Sequence, residues 1–315
     1  MKNSKTFFDF NVNTEKPAGV RTISWSQFAM YSQCPHHWKL NYAEGLREFR
    51  QSIHTIFGTA FHETMQHYLD IMYNDSIKKA DDMDCNKMLS DQMFTLYKEA
   101  VGEMGSHFST KEELGEFYQD GIAILDWFKK KRAGYFSTKG YQLVGIEMPI
   151  MHPASSVNPS VYMNGFIDLV IRDTDQDKII IYDIKTSTKG WNKYQKSDKY
   201  KANQLVLYKS YFAKQYGYPE DKIEIKYFIV KRKLIEGFAY PQKRIQEFVP
   251  ASGKPTINKL HREIDSFITQ CFAHDGSFKT DTNYLPIAGK KGKNCRWCEW
   301  KDNEDKCPAG NRIKE

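Results

Sequence analysis

The architecture of this chain follows from two short apolar segments, GFIDLVI at residues 165–171 and IIIYDIKT at residues 179–186. Each reads as a β-strand but carries an aspartate, a residue that strands disfavour. Alternate residues of a strand face the same side, so Asp183 and Lys185 project together, and pairing of the two strands would bring Asp168 beside them. Two carboxylates can bind a hard divalent cation, and a nearby lysine can stabilise developing negative charge. The pattern predicts metal-assisted phosphodiester cleavage, although a lone strand aspartate can also cap a turn or form an ion pair.

The composition sets broad limits on what the chain can be. Its 315 residues can bury the core of one or two domains. The net charge of +7 permits a polyanionic partner without requiring one. No stretch of about 18 apolar residues predicts a membrane span, and the N-terminal MKNSK lacks the apolar part of a secretory signal, so we expect a cytoplasmic protein without a membrane partner. In that compartment, six cysteines argue against a disulfide framework.

The periodicity predicts a helical region followed by a β-β-β-α-β series and a final helix. Helices are predicted near 24–34, 59–73, 84–101, 111–131, 201–216 and 255–273, and strands near 141–150, 161–171, 178–185 and 223–232. The predicted domains are an N-terminal arm (1–20), a helical region (21–135), a core (136–273) and a cysteine-bearing tail (274–315). We therefore expect an α/β fold with a small mixed sheet flanked by helices.

Asp168 followed by Asp183-Ile184-Lys185 resembles the PD-(D/E)xK nuclease superfamily, and the Asp-x-Lys form is similar to its RecB-type branch. Two further motifs, GTAFH at residues 58–62 and QLVLY at residues 204–208, resemble the helix histidine and the Gln-x-x-x-Tyr motif of that branch. The resemblance implies a restriction-endonuclease-like core and one or two Mg²⁺ or Mn²⁺ ions. The implied metal ligands are His62, Asp168, Asp183 and the backbone carbonyl of Ile184.

The same resemblance assigns roles to the remaining motif residues. The catalytic residues would be Asp168, Asp183 and Lys185, with Lys185 orienting a water or stabilising the transition state. Gln204 and Tyr208, one helical turn apart, would contact DNA near the scissile bond. A purely structural role stays open for the helix side chains His62, Gln204 and Tyr208. His62 can be an ordinary helix histidine, and Tyr208 can be a core residue. Glu147, on a predicted strand, is either an auxiliary site residue or a solvated glutamate; the sequence leaves its role open.

Three cysteines at metal-like spacing crowd the C-terminus, and a fourth stands in an isolated Cys-Pro dipeptide far upstream. This arrangement resembles AddB-type and CRISPR-adaptation nucleases, which implies a [4Fe–4S] cluster that ties the chain ends together. The implied ligands are Cys34, Cys295, Cys298 and Cys307. Zinc is the alternative, and Cys271, His36 or His37 could then replace Cys34. We interpret Cys85 and Cys271 as ordinary, partly buried cysteines.

These observations predict a metal-dependent DNA exonuclease, with single-stranded DNA favoured, acting in replication, recombination or repair in a bacterium or bacteriophage, with possible replication or recombination proteins as partners. No Gly-x-x-x-x-Gly-Lys-Ser/Thr helicase motif is present, which favours a stand-alone nuclease. The stretch 186–201 carries five lysines and is predicted to be a mobile DNA-contacting loop. Its aromatics Trp191, Tyr194 and Tyr200 could stack on bases or belong to the core. A structure-specific endonuclease and a non-catalytic DNA-end-binding scaffold are the alternatives.

Overall fold

The structure is a computed structural model that describes Val12 and residues 14–314. The helices are α1 (Trp25–Gln33), α2 (Pro35–Trp38), α3 (Ile53–Asn74), α4 (Ile77–Asp82), α5 (Cys85–Met104), α6 (Lys111–Lys131), α7 (Lys193–Ser197), α8 (Lys199–Tyr216) and α9 (Lys254–Cys271). The strands are β1 (Arg21–Ile23), β2 (Tyr141–Pro153), β3 (Val161–Asp173), β4 (Lys178–Ser187), β5 (Ile223–Lys231) and β6 (Ile245–Phe248).

The predicted helices and strands are all present, and side-chain caps explain several of their ends. Ser24 caps α1 as predicted, since its hydroxyl accepts the backbone N–H of Gln27. Helix α3 begins earlier than its apolar stripe indicated, because Ser52 caps it by accepting the N–H of Thr55. The sequence analysis missed the short strands β1 and β6, of 3 and 4 residues, which are too short to show alternation.

The chain divides into two compact units, each made from separated stretches. Among the described residues, the first unit holds Val12, residues 49–148 and residues 166–252. Its strands follow the order β3-β4-β5-β6, with β2 also paired to β3. Strands β3 and β4 are antiparallel, β4 and β5 parallel, and β5 and β6 antiparallel. This mixed sheet, with helices packed on it, confirms the predicted architecture.

The sheet of the first unit buries both of its faces. On β4, Ile180, Tyr182 and Ile184 belong to a core cluster shared with α3, α5 and α6. Asp183 and Lys185 alternate with them and therefore lie on the opposite face. There, on β5, the hydroxyl of Tyr227 donates to the carbonyl of Lys201 at the start of α8, at 2.7 Å. The catalytic candidates thus lie between the sheet and α8.

The second unit holds residues 14–48, 149–165 and 253–314 among those described. In it, β1 pairs in parallel with the first residues of β3, from Arg21 opposite Val161 to Ile23 opposite Met163. Trp38 is fully buried in an aromatic cluster whose members come from α9 and the segment that follows it: Phe267, Phe272, Phe278 and Tyr284. The cluster joins the early helices to the C-terminal part of the chain.

Several predictions are outside what the structure tests. Residues 1–11 and 13 of the predicted N-terminal arm lie outside the described residues. The four-domain division stays a prediction. In the part of the chain described, no helix combines the length and the apolar character that crossing a membrane requires. The predicted loop 186–201 contains a short helix, α7, capped by Asn192 and Gln195 in a reciprocal capping box.

Candidate active site

The two strand aspartates lie beside each other in the first unit. Strands β3 and β4 pair with Leu169 opposite Tyr182, one residue beyond Asp168 and one before Asp183. The backbone N–H of Ile184 donates to Oδ2 of Asp168 at 2.7 Å, which holds that carboxylate against β4. The Asp183 side chain is only 4 % exposed. The structure therefore brings together the two acids that the sequence placed fifteen positions apart.

Helix α3 presents two side chains to these acids, one helical turn apart. His62 was predicted, and its Nε2 lies 3.5 Å from Oδ2 of Asp168. Gln66 was not predicted. Its side-chain amide donates to Oε1 of Glu147 at 2.6 Å and to the backbone carbonyl of Asp168 at 2.9 Å. The i, i+4 spacing from His62 was the signal that could have identified Gln66, because both residues then share one helix face.

Glu147 reaches the site from β2 through an unusual backbone conformation. Its φ is +50°, in the left-handed region that residues other than glycine seldom adopt. Its Oε1 lies 3.8 Å from Nε2 of His62, and its side chain stays 43 % exposed. The left-handed residue interrupts the alternation of β2 and directs the carboxylate toward His62. The structure therefore places Glu147 among the site residues.

Asp183 and Lys185 form an ion pair that leaves ligand atoms available. Nζ of Lys185 lies 2.6 Å from Oδ1 of Asp183, and the lysine side chain is 37 % exposed. This ion pair occupies Oδ1, whereas Oδ2 of Asp183 is buried without a hydrogen-bond partner among the described residues. Nε2 of His62 is likewise buried without one. Buried polar atoms are normally satisfied, so two such atoms in one place indicate a site for a ligand.

Burial and neighbouring charges shift the pKa values of four groups in the site. Burial raises the pKa of Asp183 to about 7, against the opposing effect of Lys185. Burial also raises the pKa of Asp168 to about 6, while Lys185 and the N–H of Ile184 oppose the shift. The pKa of His62 is lowered by burial, which favours the neutral imidazole. Burial lowers the pKa of Lys185, but the negative charges of Asp183 and Asp168 raise this pKa by more. The lysine therefore stays an ammonium.

The donor set fits a hard divalent cation. One ligand atom from each of His62, Glu147 and Asp168 lies within 4.8 Å of the other two. Carboxylate oxygens with one imidazole suit Mg²⁺ or Mn²⁺. For Ile184, the contact that the structure shows is its N–H bond to Asp168, and a metal-binding role of its carbonyl stays a prediction.

Gln204 and Tyr208 lie on α8, which covers the catalytic face of the sheet. The amide of Gln204 donates to the Tyr208 hydroxyl at 3.4 Å. Tyr208 is buried, which raises its pKa, with Asp183 adding to the shift and Lys185 opposing it. Tyr208 thus contributes to the floor of the site, and contact of either residue with DNA stays a prediction.

The basic and aromatic side chains that follow β4 and β5 differ in their exposure. Trp191 is buried and packs on Tyr227 with ring centroids 4.9 Å apart, so of the two alternatives for this residue the structure supports the core position. Arg232, after β5, is also buried, over the ring of Phe117 and paired with Asp120. Tyr194, in contrast, is exposed.

The four predicted cluster ligands meet in the second unit. Cys34, Cys295, Cys298 and Cys307 line one cavity. The Cys34 sulfur accepts the N–H of Ile287 at 3.3 Å, and burial raises the pKa of that thiol. All six cysteines are free thiols. Cys85 and Cys271 are fully buried rather than partly so, and neither lines this cavity.

A polar network that the sequence did not reveal lies next to the four cysteines. Asn41 donates to Oε1 of Glu299 at 2.7 Å and accepts the indole N–H of Trp300 at 2.8 Å. The His37 ring lies 3.0 Å from Oε2 of Glu299. Since Asn41 is buried, this network fastens the early helices to the cysteine-bearing tail.

A comparison with protein-family models identifies the chain. The model of the PD-(D/E)XK nuclease superfamily matches residues 22–303. The chain belongs to this superfamily. The match covers the strand acids, Lys185, α3 and α8, and the mixed sheet with its flanking helices agrees with a restriction-endonuclease-like fold. In the comparison with curated proteins, none matches the chain. Membership implies a hydrolase that cleaves DNA with a divalent metal, usually Mg²⁺ or Mn²⁺.

Proposed function

We propose that this nuclease is a metal-dependent exonuclease that degrades single-stranded DNA in replication, recombination or repair. One observation carries the catalytic part of the proposal. Nε2 of His62 and Oδ2 of Asp183 are buried without hydrogen bonds to the described residues, and one ligand atom of His62 lies within 4.8 Å of ligand atoms of Asp168 and Glu147. Unpaired buried polar atoms are costly for a protein, and a bound cation would satisfy them. The proposed ligands are His62, Asp168, Asp183 and the carbonyl of Ile184, with Glu147 added from the geometry.

Each residue then has a defined task. A divalent cation supplies Lewis acidity, which activates a water and neutralises charge on the scissile phosphate. His62 offers a neutral imidazole, and Gln66 holds the Glu147 carboxylate and the Asp168 backbone in place. Lys185, charged and partly exposed, can donate a hydrogen bond to the attacking water or to the pentavalent phosphate. No serine or cysteine nucleophile is required.

The proposal is tested with end-labelled linear and circular single strands of the same length, in Mg²⁺ or Mn²⁺. We expect the linear strand to be degraded from a terminus and the circle to resist. Asp183→Asn should lower the rate by orders of magnitude while DNA is still bound, since catalysis is lost and binding is not. Asp173→Asn is the matched control, because Asp173 is a buried aspartate of β3 whose carboxylate serves a turn, accepting the N–H groups of Asp175 and Gln176.

Three outcomes would contradict parts of this proposal. Full activity in chelator or in Asp183→Asn refutes the metal-dependent site. Equal consumption of circle and linear strand indicates an endonuclease. Binding to DNA ends without cleavage of any substrate supports the non-catalytic scaffold, the alternative that intact Asp168, Asp183 and Lys185 argue against.

We propose further that Cys34, Cys295, Cys298 and Cys307 bind a [4Fe–4S] cluster, as in the AddB-type and CRISPR-adaptation nucleases that the sequence resembles. All four thiols line one cavity. Four thiolates suit zinc as well as an iron–sulfur cluster, and the resemblance favours the cluster.

Metal analysis after anaerobic purification tests the cluster. We expect a brown protein with about four irons per chain, and Cys34→Ser should lose iron and solubility. Cys271→Ser is the control, because Cys271 is buried outside the cavity and should be dispensable for iron. One zinc with negligible iron would overturn the assignment. Retention of the metal in Cys34→Ser would remove the upstream cysteine from the ligand set.

A further inference from the structure

The connection between β5 and β6 exposes apolar side chains that the nuclease site does not explain. This segment, residues 232–244, is called the hairpin tip here. Ile235, Phe238 and Tyr240 are exposed in it, the two rings by 55 % and 75 %. Their ring centroids lie 6.4 Å apart in an edge-to-face arrangement. A group of large apolar side chains on an exposed segment is typical of an interaction site.

The hairpin tip is held in shape by its own hydrogen bonds. The side chain of Gln242 accepts the N–H of Ile235 at 3.0 Å and donates to its carbonyl at 2.7 Å. At the base, the N–H of Lys231 donates to the carbonyl of Arg244 at 2.8 Å. Gly237, with φ +69°, provides the left-handed residue that the turn needs. Phe238 and Tyr240 are therefore presented by a closed turn.

The hairpin tip leaves the sheet at the edge where the catalytic strand ends. Strands β4 and β5 are parallel, with Lys185 opposite Ile229 and Ser187 opposite Lys231. The N–H of Lys233 donates to the carbonyl of Thr188 at 2.8 Å, so the two connections start side by side. The connection after β4 carries another exposed ring, Tyr194, which is 72 % exposed. Exposed aromatic side chains thus follow both strands that end beside Lys185.

The charge around these rings suits a polyanion. Residues 231–244 contain five basic residues and one acidic residue, and residues 186–201 contain five lysines and one aspartate. Arg232 and Lys233 are paired with Asp120 and so anchor the base of the tip. Lys243 is exposed on the tip itself, and Nζ of Lys193 lies 5.1 Å from the ring centroid of Tyr194. Aromatic rings among lysines are typical of surfaces that bind single-stranded nucleic acid.

We propose that the hairpin tip is a base-stacking element, on which Phe238 and Tyr240 contact unpaired bases of a single DNA strand. The inference rests on the proposed function and adds where the strand is held. In a duplex the base faces already stack on one another, so exposed rings gain contact only with unpaired bases. The positive charge around the rings favours a DNA strand over a protein as the partner. A surface that binds another protein is usually depleted of lysine at its centre, and this one is rich in it.

The role of the hairpin tip is tested by measuring DNA binding with a variant that does not cleave DNA. In Asp183→Asn protein, fluorescence anisotropy compares an oligothymidine of about 20 nucleotides with an abasic oligonucleotide of equal length, which keeps the phosphates but lacks bases. Adding Phe238→Ala and Tyr240→Ala should weaken binding of oligothymidine by about tenfold or more and leave abasic binding unchanged. Phe238→Trp should retain binding. Phe94→Ala is the control, since Phe94 is 69 % exposed on α5, outside both connections.

Unchanged binding of oligothymidine in the double variant would overturn the inference, as would equal loss on both oligonucleotides, which indicates a phosphate contact or a distorted tip. A protein that binds duplex and single strand equally well, with the same loss in the variant, would also overturn it.

The nuclease site and the stacking element can be refuted independently of each other. Unaltered binding by the hairpin variant leaves the nuclease site untouched, and an inactive wild-type protein that loses oligothymidine binding only through Phe238 and Tyr240 leaves the stacking element standing.

Discussion

Replacing Asp183 by asparagine should remove a pH-dependent loss of stability from the metal-free protein while it abolishes catalysis. Asp183 is 4 % exposed, and burial raises its pKa to about 7 from the ordinary value of 3.8. The unfolded chain ionises this group at lower pH than the folded chain does. The contribution of Asp183 to the free energy of unfolding therefore falls as the pH rises from about 4 to 7 and is constant above that range. At about 1.4 kcal/mol per pKa unit, the loss at pH 8 is on the order of 4 kcal/mol.

Asp183→Asn removes this pH-dependent loss, because the amide carries no charge. Between pH 5 and pH 8 the stability advantage of the variant should grow by about 3 kcal/mol, with the change complete near pH 7. For a protein of this size, that corresponds to roughly 5 °C or more in the midpoint of thermal unfolding. Thermal unfolding in EDTA across this pH range measures the effect, with Asp173→Asn as the matched buried control.

Divalent cations supply the second half of the test. Mg²⁺ should raise the unfolding midpoint of the wild-type protein at pH 8, because it binds the folded state, and should have much less effect on Asp183→Asn. At pH 5, protonation of the carboxylates should weaken this stabilisation. A stability difference between the variant and wild type that stays constant from pH 5 to pH 8 in EDTA would refute the reasoning, since it would mean that the ionised carboxylate is already well compensated.

Three further predictions follow from contacts in the two units. Gln66→Leu should raise the Mg²⁺ concentration for half-maximal cleavage by about tenfold, because the amide that holds Glu147 is lost, and a Mg²⁺ titration measures this. Tyr208→Phe should keep most activity if the ring serves the floor of the site, whereas Tyr208→Ala should lower stability by about 3–5 kcal/mol, measured by denaturant unfolding. Asn41→Leu should lower stability by about 1–3 kcal/mol and reduce iron retention after anaerobic purification, because Trp300 and Glu299 lose their buried partner.

Much of the fold could be predicted from the sequence because local signals agreed with the tertiary structure. Helix α6 was predicted from residue 111 to 131 and has those bounds, with Thr110 as its cap. Asp168 and Asp183 were conspicuous because they break strand composition, and the Asp-x-Lys spacing determines which face Lys185 shares. These residues could be recognised without knowledge of their neighbours.

The residues that the sequence did not reveal depend on contacts between distant segments. Gln66 looks like an ordinary polar residue of a helix until its amide is seen between Glu147 and Asp168. Trp191 lies in a lysine-rich stretch where the sequence left open whether it is exposed or part of the core, and it is buried beside Tyr227. The φ of Glu147 cannot be inferred from its place in an alternating strand, since the left-handed conformation is enforced by the surrounding structure.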